Sequence, residues 1–205
     1  MNSFEGALTR NLLERQHEGA PCRVVAMSLS LAAPLAALQG AIRSKSEIAQ
    51  WFTEVEGDFE LGGRFDIKDN ANGTILACSD EAWLMTWEVF GTTSWLRLEF
   101  SENEGRSTLT LEHIHPKASG SEDHWKMFGP GATGLGWGMA LMGLHHHLDP
   151  ALDASMLAQW WASDAGKDYL RISAEKWGLA HQEFGESEDA AQAAAKATAD
   201  FYRGA

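Results

Sequence analysis

The run His145, His146 and His147 is the densest set of metal-binding side chains in this sequence. On a helix each residue turns about 100° from its neighbour, so three adjacent imidazoles cannot meet at one ion. The spacing also lacks the i, i+4 pair of a helical zinc site. These residues fit a partly solvated helix end better, where a positive imidazole suits the dipole. His113 and His115 alternate, so on a strand both face one side, and His124 follows. No cysteine or defined third ligand accompanies them, so no metal is expected there. His113 continues an apolar strand face, which leaves two readings: a satisfied core histidine, or an acid or base beside an apolar space.

Other chemical signatures are missing. There is no GxSxG elbow, no phosphate loop and no dinucleotide fingerprint, so no cofactor is expected. Glu54, Glu56, Asp58 and Glu60 read as a charged strand edge, and Glu88 and Glu99 as solvated positions. Cys22 and Cys78 do not make a disulfide framework. A net charge of −13 argues against nucleic acid and against anionic membrane surfaces as partners. The first residues lack a leader-like apolar run, and the least polar stretch, 132–144, is too short to span a bilayer. A cytoplasmic location is expected. The nine tryptophans suit a core, an apolar pocket or an interface alike.

These residues need elements to position them. RVVAMSLSL (23–31) reads as a strand, and the polar residues 1–22 stay unassigned. Pro34 opens a short helix with apolar spacing at Leu35, Leu38 and Ile42, and Ser44 caps a second. From Phe59 to Lys117 the apolar period is two, in the segments 64–70, 73–79, 82–90, 94–100 and 107–115. Turn signals separate them at Gly62-Gly63, Asn72-Gly73, Gly91 and 103–105, which predicts an antiparallel meander. Trp83, Met85, Trp87 and Val89 share a face, as do Leu96, Leu98 and Phe100, and Leu109, Leu111 and His113.

That apolar face needs a cover, and the stretch GLGWGMALMGLHHHLD (134–149) supplies it. On a helix, Trp137, Leu141, Leu144 and Leu148 fall within about 60° of one another. Leu135, Met139, Met142 and His146 form a second stripe opposite. A single sheet buries one stripe, so a second layer is expected on the other: the tail aromatics Trp160, Trp161, Tyr169 and Trp177, or another subunit. Gly134, Gly136, Gly138 and Gly143 on the flanks would let it approach closely. After residue 149 strands vanish and three helices are expected, 154–162, 166–184 and 187–204, with Gly185 a stop signal.

In order and spacing, the early strand, two short helices ending in Trp51-Phe52, then GGRFDI, GTI, LMTWE, STLTLEHIH and GWGMALMGLHHHL resemble the SRPBCC superfamily. More narrowly they resemble the domain of the activator of heat-shock-protein-ninety ATPase, over residues 20–148. The resemblance implies an α+β helix-grip fold related to START and polyketide-cyclase domains. In that fold a curved antiparallel sheet wraps round a long helix, with an apolar cavity between them. It carries over no catalytic set, since relatives include lipid carriers, hormone receptors, cyclases and co-chaperone domains.

Three parts are expected: an N-terminal segment 1–22, a helix-grip domain 23–148, and a helical extension 149–205 packed on it, similar to tails of some bacterial members. The expected function is binding of a hydrophobic or amphipathic small molecule. Its expected lining is Trp51, Phe65, Ile75, Met85, Trp87, Leu98, Leu111, His113, Trp137 and Leu141, with His113 as the polar contact. One alternative is a co-chaperone-like interaction module with a chaperone partner or as a homodimer. The other is a cyclase- or hydrolase-type enzyme using His113.

Overall fold

The computed structural model describes residues 2–89, 91–117, 121–153 and 156–204. The chain order is α1 (Asn2–Ala7), β1 (Leu8–His17), β2 (Ala20–Leu31), α2 (Leu35–Arg43), α3 (Lys45–Trp51), β3 (Glu56–Gly57), β4 (Arg64–Ile67), β5 (Ala71–Cys78), β6 (Ala82–Val89), β7 (Thr92–Asn103), β8 (Arg106–Pro116), α4 (Ser121–Phe128), α5 (Gly131–Leu148), α6 (Leu157–Ala162), α7 (Asp164–Glu183) and α8 (Glu188–Arg203). Eight strands form one antiparallel sheet in the order β1-β2-β8-β7-β6-β5-β4-β3. α2 and α3 carry the chain from β2 to the far edge. The fold is α+β, a helix-grip sheet around α5 with a C-terminal helical extension.

Local chemistry sets this path. Glu18-Gly19 and Glu104-Gly105 take positive φ at both residues, the hairpin geometry that matches strand twist. Ser44 and Ser187 accept hydrogen bonds from the Glu47 and Ala190 amides, capping α3 and α8. Across the sheet, cross-strand partners place Ile75, Met85, Leu96, His113 and Val25 in one row. A neighbouring row runs Trp83, Leu98, Leu111 and Met27. These rows form the face against α5.

α5 has neighbours on every side: β2, α2, α3, α7 and α8. Leu141 and Leu144 are fully buried in the main core, and Leu135 packs with Leu170, Ala174 and Ala199 of the extension. Trp161 and Tyr202 sit against that second cluster with Met139. So the second stripe is covered within the chain. Its glycines mark the close approaches. A Cβ on Gly134 would lie 2.1 Å from the Trp177 ring, and one on Gly143 2.1 Å from the Trp51 carbonyl oxygen.

Some expectations need correction. The boundary expected between residues 22 and 23 falls inside β2, and the segment before it contributes α1 and β1 to the same fold. Asn72-Gly73 is not a turn. It lies within β5, where Gly73 faces Phe65 across the ladder, and the turn falls at residues 68–70. α4 was not foreseen. Residues 154 and 155, the expected start of the first tail helix, lie outside the described residues, as does Phe90 at the end of the 82–90 segment. No helix among the described residues is long and apolar enough to cross a membrane.

Candidate functional site

A cavity of about 60 Å³ lies between the sheet and α5. α5 supplies Trp137, Ala140 and Leu141, and β6 supplies Met85 and Trp87. The α2–α3 end closes it with Ile42, Ile48, Trp51 and Phe52, held partly by the Trp51 indole N–H donating to the Ala41 carbonyl at 3.0 Å. Val55, Phe59, Phe65 and Ile67 complete the far end, and Leu96, Leu98, Leu109 and Leu111 the floor. The wall is almost wholly apolar, which suits hydrocarbon and excludes an isolated charge.

An open cleft of about 410 Å³ lies beside it. Phe52, Trp87 and Trp137 line both spaces and so form the partition between them. The rest of the cleft comes from Asp69 and Asn70 before β5, Val89, His113, His124, the first turns of α5, and Phe201 and Tyr202 of α8.

Eight of the ten expected residues line the apolar cavity: Trp51, Phe65, Met85, Trp87, Leu98, Leu111, Trp137 and Leu141. Ile75 does not. It is fully buried, and the preceding loop pairs with its strand through hydrogen bonds from Gly62 N–H to the Ile75 carbonyl and from Ile75 N–H to the Gly63 carbonyl. Phe59, from that side of the chain, lines the cavity in its place. His113 also lies outside the apolar cavity and borders the cleft.

The hydrogen bonds of His113 define its state. Trp137 Nε1 is 2.9 Å from His113 Nδ1, and an indole N–H can only donate, so Nδ1 is the acceptor. The neutral ring then carries its proton on Nε2, which donates to Ser94 Oγ at 2.8 Å. Ser94 in turn donates to the Trp87 carbonyl at 3.0 Å. Burial holds the His113 imidazole well below its ordinary pKa, reinforced by His115 stacked at 4.0 Å. Burial, with smaller effects of His124 and Arg23, lowers His115 to about 4. Both nitrogens of His113 are engaged inside the protein. That is the arrangement of a positioning residue for Trp137.

The three consecutive histidines diverge. His145 meets the Phe4 ring edge-on at 5.7 Å, and His147 Nε2 is 3.1 Å from Glu47. Among the described residues no group of three or more His, Cys, Asp or Glu side chains is placed to hold a metal ion.

Phe52, Phe59, Leu96 and Leu109 line the cavity although sequence reasoning passed them over. Leu96 and Leu109 carried a signal, since they share the strand faces of Leu98 and Leu111. Phe201 and Tyr202 had none, because a C-terminal helix gives no hint of reaching a cleft 60 or more positions upstream.

With this geometry in place, comparison with known proteins is informative. Residues 32–149 match the family model described as Activator of Hsp90 ATPase homolog 1-like protein. The chain belongs to this family, within the SRPBCC superfamily. Its fold is similar to the crystal structure of CalU16 from Micromonospora echinospora, at 25% identity and TM-score 0.66, covering 86% of this chain and 99% of that one. That share exceeds residues 1–149, so the likeness takes in part of the helical tail. DynU16, from the dynemicin biosynthetic locus, is similar at 20% identity and TM-score 0.52, covering 64% of this chain and 49% of that one. The Aha1 dimer from Colwellia psychrerythraea is similar at 9% identity and TM-score 0.50, covering 62% and 96%. Among curated proteins none matches in sequence.

Proposed function

We propose that this protein binds a small amphipathic molecule, with an apolar end passing between Phe52, Trp87 and Trp137 into the apolar cavity and the remainder in the open cleft. The observation that carries this reading is the shared partition of Phe52, Trp87 and Trp137 between the two spaces. Sites for drug-sized ligands run to roughly 300–1,000 Å³. A volume of about 60 Å³ holds only a small apolar group, whereas the cleft of about 410 Å³ holds a larger body. Family membership and the likeness to CalU16 support a binding role without naming the ligand. In this reading the gripping domain runs to residue 148 and includes α1 and β1, 149–205 complete the cleft from the tail, and the ten expected residues other than Ile75 and His113 contact the ligand's apolar end.

The test is a titration with octanol, whose thin chain end can enter the cavity, read by tryptophan fluorescence, on the wild type and on Leu141→Trp, which fills the cavity. Native mass spectrometry of the purified protein runs alongside to find a co-purifying ligand. Saturable binding that Leu141→Trp abolishes is the expected result. Equal binding by both proteins would put the probe outside the cavity and overturn the two-space reading. No binding by the wild type would overturn the proposal.

A further inference from the structure

We propose that the cleft recognises a cationic head group, a protonated amine carried by the amphipathic ligand; this rests on the binding reading above. Three observations lead there. First, among the described residues that line the cleft none is Lys or Arg, and Asp69 is the acidic one. A carboxylate or phosphate head would find no positive partner, in a chain that already carries −13.

Second, the donors are largely committed. The Trp137 N–H goes to His113, the His113 N–H to Ser94, and the Tyr202 hydroxyl donates to the Ala132 carbonyl at 2.7 Å. Burial pushes the Tyr202 phenol up to about 12, so it remains a neutral hydroxyl, and the Gly136 backbone N–H already faces its oxygen. Asn70, Thr133, His124 and the Trp87 indole can still donate, and burial lowers the His124 pKa, which favours its neutral form. The first turn of α5 borders the cleft through Ala132 and Thr133, but a helix N-terminus supplies only a partial positive charge, against the full negative charge of Asp69.

Third, the cleft is walled by Phe52, Trp87, Trp137, Phe201 and Tyr202. Aromatic faces attract cations and repel anions through the ring quadrupole. A carboxylate and aromatic rings along one cleft complement an ammonium group, which has donors and no acceptor.

The experiment compares three probes of one chain length: octylammonium, octanol and octanoate. Each is titrated into the full-length protein and followed by tryptophan fluorescence, with Asp69→Asn as the variant. Asn suits this position because Asp69 has φ +58°, a region that Asn tolerates. The expected order is octylammonium tightest and octanoate weakest. Asp69→Asn should reduce octylammonium affinity about two- to fivefold, the range for an exposed pair, and leave octanol unchanged. Octanoate binding as tightly as octylammonium would overturn the inference, and so would an ammonium preference unaffected by Asp69→Asn. Equal binding of all three probes would sink the head-group inference while leaving the cavity reading standing. Binding of none would sink both.

Discussion

Trp137 stands at the junction of the two spaces, and its single polar atom is fixed by His113. A buried acceptor that loses its donor costs roughly 1–3 kcal/mol. Trp137→Phe should therefore lower unfolding free energy by about that amount in urea denaturation, and His113→Phe combined with it should cost less than the two single changes added together. Strict additivity would mean that the bond contributes nothing. His115 gives a pH signature at the same spot. Its folded value of about 4 lies below the ordinary 6.5. Between these values the unfolded chain binds a proton that the folded chain refuses, so stability falls as pH drops from about 6.5 to about 4, by on the order of 3 kcal/mol. His113, His124, His145, His146 and His181 also contribute to this slope, because burial lowers each of them. His115→Gln should therefore reduce the slope, measured as urea midpoints from pH 7 to pH 4.5. An unchanged slope would show that His115 titrates normally. Glu5 does not confuse the reading. Arg10, Lys176 and Tyr169 outweigh the cost of its burial and lower it from 4.5 to about 2. Its stabilisation is present above 4.5 and is lost as pH falls through about 2, below the His115 window.

At the scale of elements, α5 shows why the same residue type has opposite effects one turn apart. A helical Gly→Ala change normally stabilises by about 0.5–1 kcal/mol. At Gly138 the new methyl would meet only the Met27 terminal carbon, at an ordinary contact of 3.6 Å, so Gly138→Ala should raise the melting temperature. At Gly143 it would lie 2.1 Å from the Trp51 carbonyl oxygen, a backbone atom that cannot yield unless α3 moves. Gly143→Ala should destabilise the fold by about 1–3 kcal/mol, as overpacking does, and loosen the cavity end that Trp51 closes. Melting both variants by circular dichroism decides the pair; shifts of the same sign would refute it. This helix was legible in the sequence because its two apolar stripes and flanking glycines are all local in spacing. The strands were legible for the same reason, through the period of two in 82–90 and 94–100. β1 was not, since apolar Leu8 and Leu12 on its inner face are interrupted by Arg10, which pairs with Glu5 of α1. A part-buried ion pair erases the alternation that marks a strand. Most of the apolar lining could be read from strand faces. The partition, the His113 chain and the α8 wall could not, because they depend on how distant segments meet.

The whole molecule is a sheet and a tail that grip one helix from two sides. Trp177 is fully buried against Gly134, and Leu170, Ala174 and Ala199 close over Leu135. The tail is also tied to the chain start, where Tyr169 donates to Glu5 at 2.8 Å and Lys176 pairs with the same carboxylate. Removing residues 150–205 would return the second stripe of α5 to water, at about 25 cal/mol for each Å² of apolar surface exposed. A contiguous patch of that kind drives association. The deleted protein should therefore aggregate or form new oligomers in size-exclusion chromatography coupled to light scattering. Because so large a deletion can prevent folding outright, a point variant carries the decisive comparison. Met139 is half-buried against the tail cluster and lines neither the cavity nor the cleft. Met139→Asp should cost about 1–3 kcal/mol by desolvating a carboxylate there. It should also speed proteolysis of α6 to α8 while octanol binding in the cavity persists. A Met139→Asp protein with wild-type stability and an undigested tail would mean that the extension only lies alongside α5, and that the sheet alone holds the helix in place.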